Sequence, residues 1–553
     1  MGVREEWNKM TAKAIMIQGT ASHVGKSVLV AALCRIFKQD GYVSVPFKSQ
    51  NMALNSFVTK DGGEMGRAQV VQAQAAGLEP AVEMNPILLK PTGQASSQVI
   101  VLGKPAGNYS AQEYHTNYVA RAWEAVCLSF SQLSAKYEII VIEGAGSPAE
   151  VNLAEHEIVN MRVAQMANAP VLLTADIDKG GALAAVVGTL ELLSPEDRRR
   201  VAGIIINKFR GDLRLFQPAI SFLEEKTGRP VLGVVPYFQG FNVQEEDTIP
   251  EEVAGQAPIL SEAARNKKPK SSEVEIAVIY LPHISNFTDF DPLYEEEDVN
   301  LRYIGRGTSL GYPDLIIIPG SKNTIEDLVT LKRNGLAAEI CDRAKKGVPV
   351  IGICGGFQML GCTLADPYHT ESSIPMEAGL GLLDITTTFA LEKVTTQVES
   401  EVIGTGVFLA GLQGERVRGY EIHLGRTELG PDVAPAFKII FRLNEKVDFL
   451  DGAVSSNGLT WGTYIHGIFD NDIFRRHILD VLRVKKGLSP LTVNPERKKP
   501  TFFDQVEQDL DKLAAVVRGS LNMQKIYALI NLPGPSRSSN LELRTSNIEK
   551  GGK

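Results

Sequence analysis

Cys354 stands in the run Pro349–Leu360, PVIGICGGFQML, where an apolar strand pattern gives way to glycines and then to the start of a helix. A cysteine on a tight strand-to-helix turn is lifted off the sheet edge with its sulfur exposed. The backbone N–H groups that follow point at whatever it attacks, the logic of a nucleophile elbow. Gly352 and Gly355 are expected to let the turn close through positive φ, and Gly356 to let backbone approach a ligand. A helix N-terminus at this point favours thiolate. The sulfur then needs a histidine. His466, in Trp461–Asp470 (WGTYIHGIFD), and His423, in Arg418–Gly425 (RGYEIHLG), are the candidates. His466 is preferred, because a strand precedes it as one precedes Cys354 and Gly467 frees the turn. One strand earlier, Asp314–Ile318 ends in the turn Pro319–Thr324 (PGSKNT). If the two turns are neighbours, the N–H groups of Gly320 and Gly355 form an oxyanion hole for a tetrahedral intermediate.

A second chemistry is written near the start of the chain. The apolar run Ala14–Gln18 is followed by Gly19, a loop, Gly25-Lys26-Ser27 and a helix pattern over Val28–Phe37. Strand, glycine loop, Lys-Ser and helix is the phosphate-loop arrangement, in which backbone N–H groups wrap the phosphates. Lys26 would meet the terminal phosphate oxygens, and the Ser27 hydroxyl would bind Mg²⁺. Five residues separate Gly19 from Gly25, one more than the usual spacing. Lys48 follows the strand Tyr42–Phe47 and falls on the ligand edge of an α/β sheet. Glu143 follows the buried strand Tyr137–Ile142, where a carboxylate commonly holds Mg²⁺.

The elements that must position these residues are strands alternating with helix-length segments. In the first half the strand runs are Ala14–Gln18, Tyr42–Phe47, Ile87–Pro91, Tyr137–Ile142, Val171–Ala175, Ile204–Ile206 and Val231–Val235. In the second they are Glu275–Leu281, Asp314–Ile318 and Pro349–Ile353. The alternation predicts an α/β chain with two doubly wound, mainly parallel sheets. The expected division is a nucleotide-binding domain over 13–250, a polar linker over 251–273, a second domain over 274–487, and a C-terminal part over 488–553. In that last part Phe502–Leu529 has helical periodicity and is expected to pack on the surface, and Ser536–Lys553 reads as disordered. The loop Pro282–Asp291 is unusually dense in polar groups.

With 553 residues, 44% of them hydrophobic, the chain is long enough for two domains. Its mean hydropathy is near zero. The net charge of −8 argues against a nucleic-acid partner. Five scattered cysteines make no CxxC pair and suit a reducing cytoplasm. No apolar run has the length of a signal peptide core near the N-terminus or of a membrane span elsewhere.

The motifs of the first half, GTASHVGKS, EGAGS, ADIDKGG and NKFRGD, resemble the dethiobiotin-synthetase type of ATP-dependent carboxylate ligase. That resemblance implies ATP and Mg²⁺ as cofactors, Asn207 against the adenine and Glu143 on the metal. ParA-type partition ATPases share the general fold. GICGGFQML and YIHGIFD resemble the cysteine and histidine turns of class I glutamine amidotransferases, which implies Cys354 as nucleophile, His466 as the acid–base group and glutamine as nitrogen donor. The usual third member of that site is a Glu two positions past the histidine, and Ile468 stands there, so no third residue is assigned. The two halves together resemble the cobyric acid synthase family over residues 13–487, with KSQNMALNS, MNPILLKP, EGAGSPAEVNL, SNFTDFDPL and GYEIHLGRTE carrying the likeness. The implied substrate is adenosylcobyrinic acid a,c-diamide; the sequence does not show which residues grip the corrin ring, and the 282–293 and 418–428 loops are candidates. Neither composition nor spacing points to a corrinoid. The alternatives are a cobyrinic acid a,c-diamide synthase, a cell-wall amidotransferase, and a ParA-like switch with an inactive second domain.

Overall fold

The computed structural model describes residues 12–92, 96–152, 157–238, 272–491 and 500–534. The linker read over 251–273 lies outside the described residues up to 271, as do Leu153 and the tail from 535 onward.

The first half is built on a six-stranded sheet whose neighbours are parallel. Its order across the sheet is Val231–Pro236, Val201–Phe209, Val171–Asp176, Lys13–Gly19, Ile139–Glu143, Ser44–Phe47. The central strands are buried along nearly their whole length, which is why they read as continuous apolar runs rather than alternating ones. This order sets the phosphate loop after Lys13–Gly19 between the ends of the strands carrying Glu143 and Asp176. Ile87–Pro91 does not join this sheet. It sits in a small mixed sheet with Gln50–Met52, Ser96–Val101 and Lys104–Ser110.

The second half has a seven-stranded sheet in the order Val299–Ile304, Val274–Ile279, Leu315–Ile318, Val350–Ile353, Thr460–Thr463, Ala453–Ser455, Val433–Ala434. Its first five strands are parallel. A separate sheet is organised by the 18-residue strand Ile385–Val402, which pairs antiparallel with Arg416–Leu429 and Phe437–Arg442. The sequence reading assigned no strand there. Its alternating Thr, Val and Glu give one face to the core and one to water, a half-buried pattern weaker than that of the parallel strands.

The C-terminal segment corrects the expectation of a surface helix. It forms two helices, Phe502–Ser520 and Met523–Leu529, that break at Leu521, where Asn522 N–H donates to Leu232 O over 2.7 Å. Thr501 and Asp504 form a reciprocal capping box at its start. Leu510, Leu513, Ala514 and Val517 share one face and are buried with Leu29, Leu33, Ile36 and Phe37 of the helix after the phosphate loop. Arg35 of that helix reaches Glu507 at 2.8 Å and Asp511 at 2.7 Å. These two helices are thus part of the core of the first half. Leu513→Ala should lower stability by roughly 2–5 kcal/mol, as buried leucine truncations do. Denaturant titration checks it, and an unchanged midpoint would mean that the helix is not a core element.

Candidate active site

Three consecutive parallel strands of the second sheet, Leu315–Ile318, Val350–Ile353 and Thr460–Thr463, deliver the PGSKNT turn, Cys354 and His466 side by side at their C-terminal ends. That is the edge on which open α/β sheets carry ligands. Cys354 has φ 51° and ψ −108°. A side chain rarely adopts such a conformation, and it costs of order 1–3 kcal/mol. Its N–H donates to Thr463 O at 2.8 Å, tying the elbow to the histidine strand. Two local expectations are corrected. The positive φ belongs to Cys354 itself and to neither Gly352 nor Gly355. The glycines serve close packing: a Cβ on Gly356 would lie 1.9 Å from Ile318 O, and one on Gly355 would lie 2.8 Å from Ser321 N. What approaches Gly356 is therefore the neighbouring strand rather than a ligand. Cys354 is also buried rather than exposed, at 6% accessibility, and its sulfur donates to Ile422 O at 3.5 Å.

His466 lies against Cys354, with which it shares a side-chain hydrogen bond. A Cβ on Gly320 would come 3.1 Å from His466 Cε1, so that turn borders the same centre. Gly320 pairs with Ser285 in a two-residue antiparallel ladder. His423 is set aside from this chemistry. Its ring stacks on Tyr464 at 3.8 Å, and its Nδ1 contacts Gly425 O at 2.8 Å. A small polar pocket beside His466 is lined by Ser285, Lys322, Glu371, Lys90 and Lys393, with His423 also on its wall. Burial pushes the Lys322 ammonium down in pKa and the Glu371 carboxyl up.

The residue that the sequence reading could not supply is Asp289. Its Oδ2 lies 2.7 Å from His466 Nδ1, and its Oδ1 accepts from Gly467 N–H at 2.9 Å. Both side chains are buried. Burial works to lower the His466 pKa, but the Asp289 carboxylate and the Cys354 sulfur outweigh it and push the imidazole up to about 10. The available signal was the polar loop Pro282–Asp291. What no spacing rule gave was its seat, 177 residues before the histidine in sequence.

On the first sheet, Ser27 Oγ donates to Glu143 Oε1 at 2.7 Å, and Lys48 Nζ is 3.0 Å from the same oxygen. Gln72 Nε2 donates to Glu143 Oε2. Lys26 Nζ donates to Ala21 O at 3.1 Å and Gly146 O at 3.2 Å, spanning the loop mouth. Gly25 takes φ 95° at the head of the helix Lys26–Gln39. A hydroxyl and a carboxylate so close fit Mg²⁺, which takes one or two protein oxygens and completes its shell with phosphate and water. Asn207 is used on the loop, its Nδ2 donating to Val24 O at 2.9 Å. Among the described residues no cluster of three or more His, Cys, Asp or Glu is placed to hold a metal by itself, and no helix is long and apolar enough to cross a membrane. All five cysteines are free thiols.

Residues 15–250 match the model of the CobQ/CobB/MinD/ParA nucleotide binding domain, and residues 275–474 match that of the CobB/CobQ-like glutamine amidotransferase domain. A cobyric acid synthase of Pelotomaculum thermopropionicum is 57% identical over 95% of this chain and 98% of its own length. One from Moorella thermoacetica is 56% identical over 95% and 98%. One from Dehalococcoides mccartyi is 50% identical over 94% and 99%. An amidotransferase centre and a nucleotide-binding edge thus share one chain, at high identity over almost its full length, and the chain belongs to the cobyric acid synthase family.

Proposed function

We propose that the chain is a glutamine-hydrolysing, ATP-dependent amide ligase that converts the b, d, e and g carboxylates of adenosylcobyrinic acid a,c-diamide to amides in the cytoplasm. One ATP and one glutamine are consumed at each position. The observation that carries the reading is the pairing of Cys354–His466–Asp289 with Lys26, Ser27 and Glu143 in one chain. The family relationship supports the choice of acid.

At the first centre, the Cys354 thiolate attacks the side-chain carboxamide carbon of glutamine. The N–H groups of Gly320 and Gly355 are the candidates to hold the oxyanion. His466 gives its proton to the departing ammonia, and Asp289 keeps the imidazolium oriented and charged. Water, relieved of a proton by His466, then cleaves the glutamyl thioester and releases glutamate. The pocket beside His466 offers Lys322 and Glu371, charges that complement the α-carboxylate and α-ammonium of a free amino acid. At the second centre, a carboxylate oxygen of the corrinoid attacks the γ-phosphorus of ATP, and ADP leaves. Lys26 neutralises the transferred phosphoryl group, and Lys48 is placed to steady it or the incoming carboxylate. Ser27 and Glu143 would hold Mg²⁺, which when bound offsets charge on the phosphates. Asn207 braces the loop and is the candidate contact for the adenine. The acyl phosphate is electrophilic where a carboxylate is not. Ammonia displaces phosphate from it and forms the amide.

Mass spectrometry of the corrinoid after incubation with enzyme, MgATP and glutamine should show four added amides. Cys354→Ala should abolish glutamine use yet retain amidation with an ammonium salt. Loss of both in a folded variant would break the division of labour. In Asp289→Asn, the imidazolium loses the charge that raises its pKa. The alkaline limb of the pH profile of glutamine hydrolysis should therefore move to lower pH, and the rate should fall roughly 100-fold, the scale of general acid–base catalysis. An unshifted limb would remove Asp289 from the centre.

A further inference from the structure

We propose that Asn55 and the strand Ser56–Val58 of the nucleotide-binding half position the glutamine-hydrolysing centre of the other half. The proposal rests on the function argued above.

Each member of the Cys–His–Asp set has a neighbour gripped by this strand. The loop bearing Asp289 is held by a reciprocal pair. Asn55 Oδ1 accepts from Phe287 N–H at 3.0 Å, and Asn286 Oδ1 accepts from Ser56 N–H at 3.0 Å. Asn286 sits at φ 52° and closes the turn by accepting from Asp289 N–H at 3.0 Å. Asn55, Ser56 and Asn286 are all buried. Buried amides matched one to one make a seat that cannot shift without leaving donors unpaired.

His466 is held from its other side by Tyr420. The Tyr420 ring stacks on the imidazole at 5.3 Å and 20°. The two residues also exchange backbone hydrogen bonds of 3.1 and 2.8 Å. The Tyr420 hydroxyl donates to Ser56 O at 3.3 Å, and Phe57 meets its ring edge-on at 5.2 Å. Val58 packs with Tyr420 and Ile422, and Ile422 O is the acceptor facing the Cys354 sulfur. Val58 O in turn accepts from Gln397 Nε2 at 2.8 Å. The strand thus touches the supports of the carboxylate, the imidazole and the thiol, and it touches none of the three directly.

Asn55 does not line the pocket beside His466, so its effect should fall on turnover rather than on glutamine binding. In Asn55→Ala, kcat for glutamate release should drop roughly tenfold to a hundredfold, the penalty of a misplaced catalytic group. KM for glutamine should stay within about twofold, as for a group that acts only on the transition state. Amidation driven by ammonium chloride should stay within about twofold as well, because it bypasses the centre. Phe57→Leu, which removes the ring edge that meets Tyr420, should lower kcat for glutamate release severalfold with the same sparing of the ammonium reaction. It decides the matter if Asn55→Ala does not fold. Wild-type glutamate release in both variants would overturn the proposal. So would a parallel loss of the ammonium reaction in Phe57→Leu, which would make the contact merely structural. If the unmodified enzyme releases no glutamate from glutamine, the reading of function fails first and the proposal falls with it.

Discussion

A buried carboxylate under a buried imidazole is the constraint on which the amidotransferase half depends. Asp289 and His466 are 2.7 Å apart and almost wholly removed from water. An isolated charge there would be costly, so the imidazole is favoured as the cation and the pair as a unit. That cation in turn lies beside the Cys354 sulfur, with which it shares a hydrogen bond. The main-chain strain at Cys354 is tolerated because the same neighbourhood fixes it, through Thr463 O and the close packing of Gly356 on Ile318.

The two halves use one design twice. In each, a parallel sheet collects loops from neighbouring strands on its C-terminal edge, so reactive groups distant in sequence become adjacent. The halves meet where charge is buried. Glu64 reaches Lys90 at 2.7 Å and Lys393, from the other half, at 2.6 Å. Burial works to raise the Glu64 pKa, and the two ammonium groups outweigh it and hold the carboxyl well below the usual range. Burial also pushes Lys393 down to about 8. Such a cluster contributes little net stability, but any other seating of the halves would strand a charge. It therefore fixes register at the joint, beside the strand that supports Tyr420 and the Asp289 loop.

The legible parts of this chain were those that local rules determine. The phosphate loop shows because its glycines, lysine and serine are contiguous, and the cysteine elbow shows because strand, nucleophile and glycine must follow in order. The parallel strands show because burial on both faces leaves no alternation. Asp289 was invisible as a partner, since its role is set by three-dimensional closure and the familiar position after the histidine holds Ile468. The strand Ile385–Val402 was hidden by its half-polar pattern. The seat of the C-terminal helix was hidden because periodicity reports an apolar face without naming what covers it.

Histidine-selective NMR is the most direct test of the Asp289–His466 interaction. With the imidazole nitrogens labelled and His466→Gln used to assign the resonance, a pH titration should find His466 doubly protonated through neutral pH and losing its proton only near pH 10. Titration near the ordinary value of 6.5 would mean that Asp289 does not hold the cation, and the account of the centre would be contradicted.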